Sequence, residues 1–197
     1  MCGRYFYTKL DRIKEISESL YMMLISVFGN EDCIEICPGT EAPVIIRKAE
    51  GYYIGNKKWG FVSGDKGLII NARVETIKEK KTFRDLADNN RCVIPASGYY
   101  EWRKNDRLKF SFRPEDSSDI LYIAGLYREE EDGSKYVVLT RNPTEDVSGI
   151  HDRMPLILPG IQAAMGWLDG ENSNVYLQET IRLKIQAVGD EQLTMQF

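Results

Sequence analysis

Between Arg91 and Thr140 the chain passes through a succession of apolar segments, each too short for a stable helix. Arg91–Ile94, Gly98–Trp102, Lys109–Phe112, Leu121–Leu126 and Tyr136–Thr140 are rich in β-branched and aromatic residues, the composition of strands. Strands that follow one another without intervening helices do not build a doubly wound sheet, which needs regular strand-helix alternation. No glycine-rich phosphate loop precedes a helical stretch, which argues against a nucleotide-binding fold. The expected class is α+β, a strand-rich core with peripheral helices.

The flanks complete that pattern. Residues 3–7 read as a strand. Thr8 is placed to cap a following helix, with Asp11 three residues on. Ile13, Ile16, Leu20, Met23, Leu24 and Val27 form an apolar stripe at helical spacing that stops at Gly29-Asn30. Pro43–Arg47 and Tyr52–Ile54 predict hairpin strands around Glu50-Gly51, and Trp59–Val62 is a further short apolar run. Thr82 opens a short helix with Leu86 and Ala87 on one face. Asn142-Pro143 reads as a helix cap followed by a proline at the first helical position. Met154–Leu158 is strand-like, and Ile161–Leu168 and Val175–Leu183 read as helices. No repeat or linker divides the 197 residues, so residues 1–197 are expected to form a single domain.

The net charge is −4. That disfavours a protein that coats nucleic acid non-specifically, because phosphate neutralisation needs Lys and Arg. The 26 basic residues still allow a local basic face. No apolar run reaches transmembrane length and the start lacks a signal peptide's apolar stretch, so the expected compartment is the cytoplasm, with no membrane partner. Cys2, Cys33, Cys37 and Cys92 should then be free thiols, with Cys33 and Cys92 as small apolar fillers. A single histidine and no second close cysteine pair make a poor zinc set, so no metal and no cofactor are expected.

Cys2 is the most informative residue. Removal of Met1, general for a small second residue, would leave an α-amine and a thiol on neighbouring carbons. Near neutral pH part of such an amine is uncharged, and the thiol is partly thiolate and can be tuned lower. The amine and an aldehyde give an imine, which the tethered thiol can close to a thiazolidine ring. Taken alone, a cysteine in second place reads first as incidental. His151, the lone histidine, is either a hydrogen-bonding core group or a general acid-base. Glu101, between Tyr100 and Trp102, is either an outward strand residue or a desolvated proton shuttle. Asn71, after Leu68-Ile69-Ile70, is either a turn residue or an amide that orients an amine. Arg4, Arg73, Arg84 and Arg153 fall in or beside these segments, and guanidinium groups suit phosphates; taken singly, each reads first as a solvated surface charge.

Together the segments carry a resemblance. Met1-Cys2-Gly3-Arg4-Tyr5, Trp59-Gly60, Asn71-Ala72-Arg73 with Glu75-Thr76, and Phe83-Arg84 come first. Arg91-Cys92-Val93-Ile94-Pro95-Ala96, Gly98-Tyr99-Tyr100-Glu101-Trp102, Ala124-Gly125-Leu126, Leu139-Thr140 and Ile150-His151-Asp152-Arg153-Met154-Pro155 follow. In this order they resemble the SOS response-associated peptidase (SRAP) domain family. The resemblance implies an α+β fold with a β-barrel-like core, and a monomer is expected. It implies a covalent crosslink to abasic sites in single-stranded DNA, with abasic-site lyase and self-processing peptidase activity. In its terms Cys2 supplies amine and thiol, Asn71 positions the amine, Glu101 shuttles protons, and His151 assists at the sugar hydroxyl and the ring-opened aldehyde. Arg4, Arg73 and Arg153 would bind phosphates, Arg84 would join the DNA-binding set, and Pro38, Thr140 and Trp102 would lie near the strand.

One departure stands out. After Trp59-Gly60 the family continues with Pro-x-Trp and a longer loop, whereas this chain has Ser63-Gly64-Asp65 and reaches Asn71 quickly. The stacking aromatic is missing, which predicts weaker or less structure-selective DNA binding. Two other readings remain open: an N-terminal-nucleophile hydrolase using Cys2, Glu101 and His151, and a non-catalytic single-strand binding module.

Overall fold

A computed structural model describes residues 2–8, 13–14, 17–29, 31–64, 67–115, 120–178 and 181–189. In chain order the strands begin with β1 (Tyr5–Thr8), β2 (Cys33–Ile36), β3 (Glu41–Lys48), β4 (Gly51–Trp59) and β5 (Phe61–Val62). Next come β6 (Leu68–Ile69), β7 (Asn71–Arg73), β8 (Arg91–Ala96), β9 (Gly98–Trp102) and β10 (Lys109–Pro114). The last are β11 (Leu121–Glu130), β12 (Gly133–Arg141), β13 (Met154–Pro155), β14 (Ile157–Leu158) and β15 (Leu183–Val188). The helices with described bounds are α1 (Glu18–Phe28), α2 (Arg84–Asn89), α3 (Glu145–Ser148), α4 (Gly160–Leu168) and α5 (Ser173–Gln178), with a 3-10 turn at Val74–Thr76.

β8 is buried at every position, as a strand must be when both faces of its sheet are covered. It belongs to a ring in which β12 pairs with β11 on one side and with β4 on the other, closing β12–β4–β3–β8–β11. The β12–β4 contact is parallel; the other ring contacts are antiparallel. A second sheet, ordered β15-β10-β9-β1-β2, packs beside it. Alternate residues of the ring strands enter two clusters. Val44, Ile46, Cys92, Ile94, Tyr136 and Val138 meet Tyr5, Tyr7, Ile36, Tyr99 and Phe112 of the second sheet. Val93, Ala124, Leu126, Val137 and Leu139 meet Ala87 of α2 and Ala164 and Trp167 of α4. Trp167 anchors that layer by donating its indole N–H to Cys92 O at 3.0 Å. The expected α+β class and barrel-like core with peripheral helices are what the chain forms.

Several local expectations need correction. Thr8 ends β1, and the start of the helix it is expected to cap lies outside the described residues. Ile13 and Lys14 are helical, and α1 begins at Glu18, where Ser17 Oγ accepts from Leu20 N, the N-cap bond that satisfies an otherwise orphaned donor. Asp11, Ile16 and Asn30 lie outside the described residues. Asn142-Pro143 does not cap α3; Thr144 holds that position, and the Asn142 side chain accepts from Arg153 instead. Leu183 opens strand β15 and does not end a helix: α5 stops at Gln178. Cys33 is exposed and fills no core, whereas Cys92 is buried. Met154–Leu158 is two short strands, β13 on β12 and β14 on β11. Among the described residues no helix is long and apolar enough to cross a membrane.

Candidate active site

Four separate stretches meet at Cys2. The start of β1 brings in Cys2, which is fully buried. β7 follows the β5–β6 hairpin and presents Asn71, whose Nδ2 donates to Cys2 O at 2.9 Å. Asn71 Oδ1 is also buried and has no hydrogen-bond partner among the described residues. Such an acceptor costs about 1–3 kcal/mol unless a donor reaches it, so its place beside Cys2 marks a position for an N–H group.

β9 supplies Glu101. Its neighbours Tyr100 and Trp102 point to the outward face of the sheet, so strand alternation turns Glu101 inward, where it is 3% exposed. Burial pushes its carboxyl above the ordinary range, and the charge of His151 pulls partly the other way. Burial, and then the charge of Glu101, push the Cys2 thiol up as well. That reverses the expected tuning toward thiolate: at rest the sulfur is a protonated thiol.

His151 follows α3, where His151 N donates to Val147 O. Its Nε2 lies 3.9 Å from Glu101 Oε2. Nδ1 accepts from Arg153 N at 3.1 Å, which leaves the proton of a neutral ring on Nε2, facing Glu101. Asp152 Oδ1 is 3.0 Å from Nδ1, so a doubly protonated ring also has a partner. Glu101 and His151 together can hold and exchange a proton next to the cysteine. Among the described residues no group of three or more His, Cys, Asp or Glu is placed to hold a metal ion.

The expected phosphate-binding residues fall in different settings. Arg73 is exposed at the end of β7, close in sequence to Asn71. Arg4 pairs with Glu35 at 2.9 Å and lies 5.4 Å from the Trp102 ring centroid. Pro38 sits half-buried in the turn between β2 and β3. Arg84 is on α2, which packs against β8 and β11; it is exposed and meets Asp85. Thr140 is fully buried and lies opposite Arg73 in the β12–β7 register. Arg153 is only 8% exposed. It forms a fork onto Glu75 at 2.9 and 2.8 Å and also donates to Asn142 Oδ1 and Thr140 O. Its geometry is that of a clamp inside the protein, holding the His151 loop to the end of β12 and the 3-10 turn. Sequence reading missed this clamp because Glu75 and Arg153 carry no local signal of each other.

The chain has known relatives. The sequence profile of the SOS response associated peptidase (SRAP) family matches residues 1–195. This chain belongs to the SRAP family. It is 31% identical to the abasic site processing protein YoqW of Bacillus subtilis over 197 residues, covering 92% of this chain and 87% of that one. It is 28% identical to the abasic site processing protein YedK of Escherichia coli, covering 88% of this chain and 82% of that one. The mouse abasic site processing protein HMCES is 34% identical over 57% of this chain and 41% of its own length. The SRAP fold here also superimposes on a crystal structure of a Bacteroides thetaiotaomicron protein with a TM-score of 0.74 at 19% identity, covering 96% of this chain and 93% of that one.

Proposed function

We propose that this protein processes abasic sites in single-stranded DNA by covalent attachment through Cys2. The observation that carries the reading is the pairing of Asn71 with the Cys2 backbone, with a buried acceptor oxygen left open beside it. Relatives across most of the chain are named abasic site processing proteins. An amine freed by loss of Met1 would donate to Asn71 Oδ1 and be aimed at the aldehyde of the ring-opened sugar.

The chemistry balances as follows. The amine nitrogen adds to the aldehyde carbon, and the carbinolamine loses water to give an imine. The Cys2 sulfur then bonds to the imine carbon; its proton passes to Glu101 and from there to the nitrogen, closing the thiazolidine. A thiol kept protonated by burial needs a base at the moment of attack, and Glu101 is buried beside it. His151 is suited to assist at the sugar oxygen, and β-elimination from the imine would give strand cleavage. Exposed Arg73, with Arg4, suits flanking phosphates. The β5–β6 hairpin places Val62, 56% exposed, opposite Leu68, 44% exposed, with no aromatic for base stacking. DNA binding weaker and less selective for duplex junctions than in relatives with a Pro-x-Trp loop is the expected result.

Intact mass after incubation with an abasic single-stranded oligonucleotide tests the reading. The expected species has lost Met1 and has gained the oligonucleotide minus one water, and Cys2→Ala does not form it. A chain that has lost Met1 and forms no adduct overturns the proposal and moves an N-terminal-nucleophile hydrolase to the front.

A further inference from the structure

The reaction uses the inward side of β9, and its outward side carries a separate feature. Strand register sets Lys109 beside Trp102, Ser111 beside Tyr100 and Gln186, and Arg113 beside Lys184. Phe6 lies beneath this layer, its ring 4.5 Å from that of Tyr100 and 4.4 Å from the Arg113 guanidinium. Lys109 Nζ stands 3.6 Å from the Tyr100 ring centroid. The result is a sheet face of interleaved cations and aromatic rings.

Charge on this face runs against the whole molecule. The chain carries −4 overall, yet Arg4, Lys109, Arg113 and Lys184 lie in or beside the strands of this face. Glu35 partners Arg4 and Lys109. Arg113 and Lys184 have no acidic partner among the described residues, and Arg113 donates instead to Thr8 Oγ1 at 2.9 Å. Beside them is a hollow of about 380 Å³ lined by Tyr100, Ser111, Arg113, Gln186, Ala187 and Val188. Its hydroxyl and amide groups can hydrogen-bond base edges.

The face is continuous with the reactive site. Arg4 lies two residues from Cys2, Trp102 follows Glu101, and the two side chains are in contact. A strand held at Cys2 that passes over Trp102 runs onto Lys109 and then toward Arg113 and Lys184. Tyr100 is only 7% exposed and Phe6 is buried, so half-buried Trp102 supplies the ring beside the cationic track, and a ring beside a cationic track is the combination that holds single strands without sequence preference.

We propose that the outward face of the five-stranded sheet binds the single-stranded DNA on one side of the abasic site. Phosphates would lie at Lys109, Arg113 and Lys184, with a base in the hollow beside Tyr100. The proposal rests on the abasic-DNA reading and extends it to the flanking strand.

The test uses the full chain and a tetrahydrofuran abasic analogue, which binds without reacting. A short oligonucleotide spans the analogue and its immediate neighbours; two others extend it on the 5′ or the 3′ side. Extension on one side is expected to tighten binding by about tenfold, with a steeper salt dependence. The double variant Lys184→Glu, Gln186→Glu lies on the exposed edge strand β15. It should erase that long-to-short ratio and lower the salt slope, by about one for the lysine removed. A parent that gains nothing from either extension overturns the proposal, as does a folded double variant that keeps the full gain. Failure of the underlying reading is separate: the short oligonucleotide with a true abasic site would then form no Cys2 adduct.

Discussion

At the scale of single residues, Glu101 joins stability and chemistry. A carboxyl whose folded pKa is raised favours the folded state most where it is protonated. The unfolded value is about 4.3, so this contribution is full below that pH and is lost as pH rises through the raised folded value. Glu101→Gln keeps the shape and cannot ionise. Its stability relative to the parent is expected to climb across that window and then level off, while adduct formation slows. Thermal melts of both proteins from acid to neutral pH test the first part, and adduct rates on abasic DNA test the second. A pH-independent stability difference would remove the buried carboxylate as a cost of folding, and unchanged rates would dismiss it as the proton shuttle.

At the scale of elements, β9 owes its position to a residue without a side chain. A Cβ on Gly98 would lie 2.4 Å from Phe6 Cζ and 2.5 Å from Phe112 O. Gly98 therefore lets Phe6 of β1 lie flat against the sheet, and β9 keeps the register that points Glu101 inward. Gly98→Ala is expected to destabilise the fold by about 1–3 kcal/mol or more through overpacking; an unchanged midpoint in urea unfolding would contradict it. The edge strand β15 shows why one element was misread. Leu183 and Ile185 alternate with Lys184 and Gln186, which is strand period. The apolar residues just upstream, Val175 and Leu177, belong to α5, and two periods joined by a short connection read as one helix.

Across the whole molecule, the Arg153 clamp joins residues distant in sequence. It holds the His151 loop to Glu75, 78 residues away. Burial pushes the Glu75 carboxyl up, but the bonds from Arg153 outweigh it and hold the carboxyl below its ordinary range. Glu75→Gln leaves a nearly buried guanidinium without its counter-charge. The expected cost is about 1–3 kcal/mol, less than for a fully buried pair because the Glu75 side chain is 35% exposed. Adduct formation should also slow as the His151 loop loosens. Denaturant unfolding and adduct rates measure the two effects, and a variant as stable as the parent would show that the clamp holds nothing in place.

Sequence by itself determined what is local in origin. Period-two alternation named most strands of the core, and the ordered short motifs singled out Cys2, Asn71, Glu101 and His151, which the fold brings together. Those motifs are legible because their chemistry needs particular residue types at particular places along the chain. Tertiary structure alone decided the environments. It buried the Cys2 thiol and raised its pKa against expectation, enclosed Arg153 in a clamp, left Cys33 exposed, and set Lys109 and Arg113 beside aromatic rings. Desolvation and cross-strand register depend on which distant segments become neighbours, and no stretch of sequence records its neighbours across the fold.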